Sequence, residues 1–547
     1  MRQSIFTLFA ATLLLWATGC SNDESAQENS YAQESNNGKG VVATFQNEEP
    51  TIGTTRTTLT HEVGKGAVIY WTPGDRVFVE DDNGNFYLSN EATRPDGSAI
   101  KGDKSKEDRD ATFSFPNGSY NKPSHKIRYT GTGANGKSPD KVTIAGTQTQ
   151  DAPNNADHIG RDGDCGVAVA KGQKRTYKFT LQHKVSYLSF TPFIENTELA
   201  KNVYLSKIVV TSNQNIGGDY GFNDNGLVGE GSLKQITLVT KGSGFVPGPW
   251  DKATNSKKSV AAPGFPISNS TSITNAAYMV IAPGTHTLKI EYYIEDPTTE
   301  VKGVVTKTLA LKEFKENRVY DISTNLTPKD YTTDSKYYEW DAQLDYWGPF
   351  TNTALLNGQN DPQYPHPGNR RWYSEANPPS VASNLCKNCP NINEVLWYVH
   401  KGDPHWDSNT LWSNMQHLYK GGMWIKKKQH IAGYNANNYA GYDYRPLEAS
   451  KKWEYWTDQY FTNRAITYST PANTSEYFYL PALGHYYRGT KHACGGGGRY
   501  WTSSPQFIEY NVKGEKVINA AYLDFYATLI RVNSSWREYG FNLWTAQ

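Results

Sequence analysis

Fifty-five Lys and Arg residues face 54 Asp and Glu in a chain of 547, a formal charge of +1, so the overall balance calls for neither nucleic acid nor an anionic membrane face. The length suits about three domains at roughly 150 residues each. Aromatic residues make up 13% of the chain but are unevenly placed, with twelve of the fifteen tryptophans from Trp340 onward, so two differently built halves are expected.

The N-terminus reads as a targeting segment. Arg2 precedes an apolar stretch at 5–16, and Ala17-Thr18-Gly19 closes it before Cys20. Such a run is too short to span a bilayer and carries signal-peptide flanks. Small residues followed by Cys20 resemble the lipobox of bacterial lipoproteins, which implies cleavage before Cys20 and acylation of its thiol. Ser21-Asn22-Asp23-Glu24 resembles the acidic export signal that sends lipoproteins of Bacteroidota to the outer face of the outer membrane. Residues 21–40 are mostly Ser, Asn, Gln, Glu and Gly, a linker composition.

From 41 the pattern is β. Short apolar and aromatic runs bounded by Gly, Pro or Asn-Gly fall at 41–45, 67–71, 76–80, 86–88, 111–115, 126–129 and 141–144. A second set falls at 177–181, 187–191, 204–210, 235–240, 277–281 and 287–294, closing near 304–311 and 318–322. Short strands at this spacing, with no amphipathic helix of useful length among them, predict β-sandwiches. Two in tandem are expected, at 41–172 and 173–328.

Thr55-Arg56-Thr57, then Ile69-Tyr70-Trp71-Thr72-Pro73-Gly74-Asp75-Arg76-Val77, resemble the opening of the fimbrillin family of Bacteroidota. Gln148, the 179–185 stretch, Leu205 to Val210 and the Ala282-Pro283-Gly284 turn fit the rest of that pattern. On this resemblance Trp71 packs between the sheets and Gly74-Asp75 makes the turn into the next strand. The resemblance also implies cutting after an Arg by a trypsin-like protease, with Arg56 the candidate. Loss of the first strand would open an apolar groove for a strand of the next pilin subunit, with backbone hydrogen bonds for affinity and alternate side-chain pockets for register.

Residues 329–379, rich in Pro, Asn, Asp and aromatics, are expected to form a linker. Ile392, Val395, Leu396 and Val399 then fall at helical spacing behind an Asn391 cap. A second helix is expected over 409–419, with Leu411, Met415, Leu418 and Tyr419 on one side, Asp407-Ser408 as caps and Gly421-Gly422 as its stop. Met423-Trp424-Ile425 begins a strand, 433–473 reads as a long structured loop, and 521–530 and 539–544 read as closing strands. The 380–547 segment is therefore expected to be an α+β domain, and the whole chain mainly β.

Leu480-Pro481-Ala482, Trp501-Thr502-Ser503 and Tyr539-Gly540-Phe541, with Cys386 to Pro390 at the start, resemble in order the FISUMP group of the C-type-lectin-like fold. The Glu-Pro-Asn, Gln-Pro-Asp and Trp-Asn-Asp triplets with which sugar-binding members hold calcium do not occur in this sequence. Asp403 and Asp407 are too few for the six to eight oxygens of a calcium site, so no cofactor or metal is expected. Cys386 and Cys389 with His400 and His405 match no known zinc-finger spacing. Outside the cytoplasm, Cys494 paired with Cys386 or Cys389 would make a staple. Nucleophile-elbow, zincin, P-loop and dinucleotide signatures are lacking, and no enzyme is expected.

These features together point to a surface lipoprotein that becomes the tip subunit of a pilus. The chain closes on a folded domain, so it would accept a strand without donating one, and it would present a lectin-like adhesive head. Candidate contacts of that head with a glycan or protein of a host or microbial surface are His405, Trp406, Tyr486, Tyr487, Arg488, Trp501 and Trp536. The alternative is an outer-membrane lipoprotein that captures glycans or proteins and never polymerises.

Overall fold

The computed structural model describes residues 41–47, 58–62, 64, 67–133, 135–334, 336–348, 355–362, 364, 382–445, 461–510 and 516–547. The fold is mainly β. Ile392–Lys401 is the one α-helix longer than four residues among the described residues.

In the first unit one sheet runs, edge to edge, through Phe86–Leu88, Phe78–Glu80, Ser124–Tyr129, Gly166–Gln173, Thr176–Phe179, Ala43–Asn47 and Ala111–Phe115. Trp71 is completely buried in its core, edge-on to Phe113 at 4.9 Å and Tyr129 at 5.7 Å. The Asp75 carboxylate accepts the Thr72 N–H at 2.6 Å, while Gly74 takes φ +88°, a conformation that costs glycine little.

In the second unit Val301–Phe314, Gly284–Asp296, Tyr204–Ser212, Gln235–Thr240 and Thr147–Gln150 form one sheet. Ala277–Ile281, Ser186–Phe193 and Arg318–Asn325 form another that shares its core. Strict alternation buries His286, Leu288, Ile290, Tyr292 and Ile294 along Gly284–Asp296. Gln148 joins the two sheets with its side chain: its amide donates to the Val280 carbonyl at 2.7 Å and accepts the Val280 N–H at 2.9 Å. Gln150 repeats the device with the Ala276 carbonyl and the Tyr278 N–H, so two fully buried amides act as extra rungs.

The units are not divided by a single cut at 172–173. Lys141–Ile144 pairs with Gly218–Asn223 and Thr147–Gln150 with Gln235–Thr240, which puts Val142, Ile144 and Ile159 in the second core. The chain then returns, and Thr176–Phe179, expected in the second sandwich, pairs in the first, with Tyr177, Phe179 and Leu181 in its core.

The C-terminal region holds two four-stranded sheets. One contains Lys329–Asp330, His405–Asn414, His417–Lys426 and Tyr477–Pro481. The other contains Thr462–Asn463, Leu529–Trp536, Lys516–Tyr526 and Gly497–Tyr510. The Ile392–Lys401 helix opens on a capping box, Asn391 accepting from Asn393 and Glu394 while Glu394 reaches back to the Asn391 N–H. The expected closing strands become a hairpin that turns at 527–528, followed by single bridges from Gly540, Phe541 and Asn542 to Tyr486, Tyr338 and Tyr500.

Two expectations fail here. The 409–419 segment is no helix but the turn of a hairpin, His405–Asn414 with His417–Lys426. Met415 and Gln416 take φ +48° and +71°, the two-residue turn whose twist matches that of the flanking strands. Asp407 caps nothing helical. It accepts the Asn409 and Thr410 N–H groups where the hairpin bulges, and the Trp424 Nε1–H and Thr470 hydroxyl besides. Burial pushes the Asp407 carboxyl up, but these donors outweigh it and hold the pKa at about 2. The expected linker is also wrong in part. Tyr331, Tyr337, Trp340, Tyr346 and Trp347 are buried in the C-terminal region, because aromatic side chains of this size gain more from burial than a solvated connection would leave them.

The hairpin turn plugs into the second unit. Asp296, fully buried, accepts from the His417 ring at 2.9 Å and the Leu418 N–H at 3.0 Å. Thr299 donates to the Leu418 carbonyl, Asn202 to that of Gln416, and the Leu418 side chain belongs to the second core.

Candidate functional site

The strand Ala43–Asn47 is inserted between two others, antiparallel to Ala111–Phe115 and parallel to Thr176–Phe179, so that Phe45 stands opposite Phe113 on one side and Tyr177 on the other. Ala43, Phe45 and Asn47 are buried, while Thr44 and Gln46 are half-buried. The Phe45 ring stacks on Tyr177 at 4.7 Å and meets Phe115 and Tyr120 edge-on at 5.2 and 5.5 Å. Taking this strand away would leave two strand edges without partners and a pocket of aromatic walls without its ring.

The next described strand is anchored elsewhere. Thr58–His61 pairs with Ala67–Tyr70, and the His61 ring meets the Asp321 carboxylate of the second unit at 2.6 Å, with the Gly64 N–H beside it at 2.9 Å. Burial raises the Asp321 carboxyl, but these two partners hold it below its usual range. Two separately anchored strands thus flank the stretch that contains Arg56. Arg56 itself, like Cys20, lies outside the described residues.

The seven residues nominated for surface contact divide sharply. Trp501 is completely buried, stacked on Phe541 at 4.3 Å, and donates its Nε1–H to the Tyr338 carbonyl. Tyr486 is buried among Tyr337, Tyr346 and Trp347. Trp406 is buried beside Gly421. These three are core, which corrects the expectation for each: a large aromatic is worth more inside a tryptophan-rich region than on its surface. His405 is half-buried against Tyr477.

The other three meet on the surface. Tyr487 and Arg488 sit at the turn of the hairpin His485–Tyr487 with Thr490–His492, and Trp536 ends Leu529–Trp536. The Arg488 guanidinium lies over the Tyr487 ring at 5.4 Å and over the Trp536 ring at 5.5 Å. Tyr539, missed as a contact, completes the group, 4.7 Å from Tyr487 and 5.9 Å from Trp536; its place in the Tyr-Gly-Phe run was the available signal. Arg488 takes φ +48° and Gly489 +76°. A side chain as large as Arg in this left-handed position costs about 1 kcal/mol.

The four cysteines after Cys20 are free and buried, so the expected Cys494 staple is not formed. Cys494 lies in the large C-terminal core beside Asn414, Tyr419 and Lys491, whereas Cys386 and Cys389 lie together in a separate cluster with Trp340 and Trp501. Burial pushes the Cys386 thiol up. His400 stacks on Tyr439 at 5.5 Å, and the described residues hold no group of three or more His, Cys, Asp or Glu placed for a metal ion.

No protein-family model matches this chain, and no curated protein does. Among solved structures the chain is similar to a candidate cell adhesion protein of Bacteroides ovatus, at 13% identity over 52% of this chain and 94% of that one, TM-score 0.28. It is similar also to a fimbrial protein of Bacteroides ovatus, at 10% identity over 56% and 53%, TM-score 0.21. A third is the fimbrial anchor protein Mfa2 of Porphyromonas gingivalis, at 10% identity over 51% and 90%, TM-score 0.22.

Proposed function

We propose that this chain is a non-enzymatic subunit of a surface fibre, exported as a lipoprotein through Cys20, opened by a cut at Arg56, and seated at the fibre's tip. The observation that carries this reading is the insertion of Ala43–Asn47 between Ala111–Phe115 and Thr176–Phe179. A cut between the two anchored strands releases a short strand and leaves a groove that a strand from another pilin can refill, its alternate side chains entering where Ala43, Phe45 and Asn47 sat. The tip position is supported by how the C-terminal region is packed. Leu529–Trp536 is a central strand of its sheet, and the following Phe541 and Trp544 are buried, so these residues cannot serve as a donor strand without unfolding their own domain. The C-terminal domain is then the part that faces outward, toward a glycan or protein of another surface.

N-terminal sequencing of the protein from purified fibres tests this. A start at Thr57 is the expected result. An acylated Cys20 on cell-bound protein, with none in the fibres, would overturn it and leave an outer-membrane lipoprotein that captures its ligand without polymerising.

A further inference from the structure

We propose that the Tyr487–Arg488–Trp536–Tyr539 face binds a carboxylated sugar, Arg488 pairing with the carboxylate while the rings take the apolar side of the pyranose. This rests on the adhesive half of the reading above and not on strand exchange. Arg488 is exposed, its guanidinium lies over the two ring faces, and its charge acts on the neighbouring Tyr539 hydroxyl. Ring faces hold a guanidinium without occupying its N–H groups, so the planar fork remains available for a bidentate carboxylate. Trp536 is 39% exposed, and an exposed indole beside tyrosine hydroxyls suits the mixed apolar and polar faces of a sugar ring.

The face is held rigidly. Tyr486 and Gly540 exchange two backbone hydrogen bonds, at 2.8 and 3.0 Å, which lock the hairpin carrying Tyr487 and Arg488 against the segment carrying Tyr539. The Gly489 N–H donates to the Tyr346 hydroxyl at 3.0 Å, and its carbonyl accepts the Asp361 N–H at 2.7 Å. A site whose backbone is fixed beforehand loses little freedom on binding.

Binding of 3′-sialyllactose and of a glucuronate-ended disaccharide to the full chain, with lactose as the neutral probe, tests the assignment. The acidic sugars should bind in preference to lactose, and more weakly as salt rises. Arg488→Lys keeps the charge but loses the fork, and should weaken acidic-sugar binding about tenfold; Trp536→Ala should do likewise at an unchanged melting temperature. Arg76→Ala, which removes an exposed cation of the first unit, should leave binding as it was. Equal binding of lactose, indifference to Arg488→Lys, or no binding of either acidic sugar would each overturn the proposal. Fibre incorporation is read separately, so acidic-sugar binding by a protein that never enters fibres would sink the pilus reading and leave this one standing.

Discussion

Phe45 and Trp501 are both completely buried aromatic side chains, yet their regions close around them differently. Phe45 rides on a five-residue strand whose ladder partners come from Ala111–Phe115 and Thr176–Phe179, and the stretch that links it to the next described strand contains Arg56. Trp501 is held on every side by chain that is itself held. Its N–H donates to the Asn542 carbonyl, its own carbonyl accepts the Trp544 Nε1–H, and its Nε1–H reaches Tyr338. One core is completed by a short strand whose two ladder partners are remote in sequence. The other is completed by residues bonded to one another on several sides.

The sharpest way to break this comparison is to cut the chain between Asn47 and Thr58 and separate residues 41–47. The first unit should lose at least about 5 kcal/mol, since two ladders and a buried Phe go together. Amide exchange at 111–115 and 176–179 should rise to that of an open edge and be restored by adding a peptide of the 41–47 sequence, with 497–510 unchanged. Unaltered exchange at 176–179 would mean that the first strand is not a plug. Trp501→Ala should cost about 3–5 kcal/mol in urea unfolding, with lost protection confined to the C-terminal region.

Acid should separate the two regions further. Burial, with Arg499 and His492 nearby, pushes the His485 imidazole from 6.5 down to about 2. A base neutral when folded leaves the unfolded chain holding the extra proton below pH 6.5, so stability is full above that pH and falls as pH drops toward 2. The slope is about 1.4 kcal/mol per pH unit, or roughly 2–3 kcal/mol over the first two units. A urea midpoint that follows pH in the parent protein and flattens in His485→Gln is the expected pair of results. Asp296→Asn should cost about 2 kcal/mol through the His417 and Leu418 contacts it weakens, seen as faster exchange at 415–418 while Phe45 and Trp501 stay protected.

Strands whose reason lies within a few residues are legible in the sequence. Ala277–Ile281 and Gln235–Thr240 fall where they were expected, because each is a short apolar or β-branched run ended by turn residues. The Asn391 cap was legible for the same reason, since its partners Asn393 and Glu394 are two and three residues away. The hairpin at 405–426 was not. Leu411, Met415 and Leu418 satisfy a helical period by accident, and the turn at Met415-Gln416 contains neither Gly nor Asn to announce it. What decides that segment is Asp296, which holds the turn from another unit.

The candidate site divides along the same line. The sequence by itself determined the β class, the position of many individual strands and the chemistry on offer, an Arg and several aromatics near the end of the chain. Only the tertiary structure decided that Ala43–Asn47 lies between two strands remote in sequence, that Trp501, Trp406 and Tyr486 face inward, and that Tyr487, Arg488, Trp536 and Tyr539 come together outside. Alternation and turn chemistry are local and can be read along a chain. Which of two aromatic residues is covered depends on what the rest of the chain lays over it, and that is a property of packing.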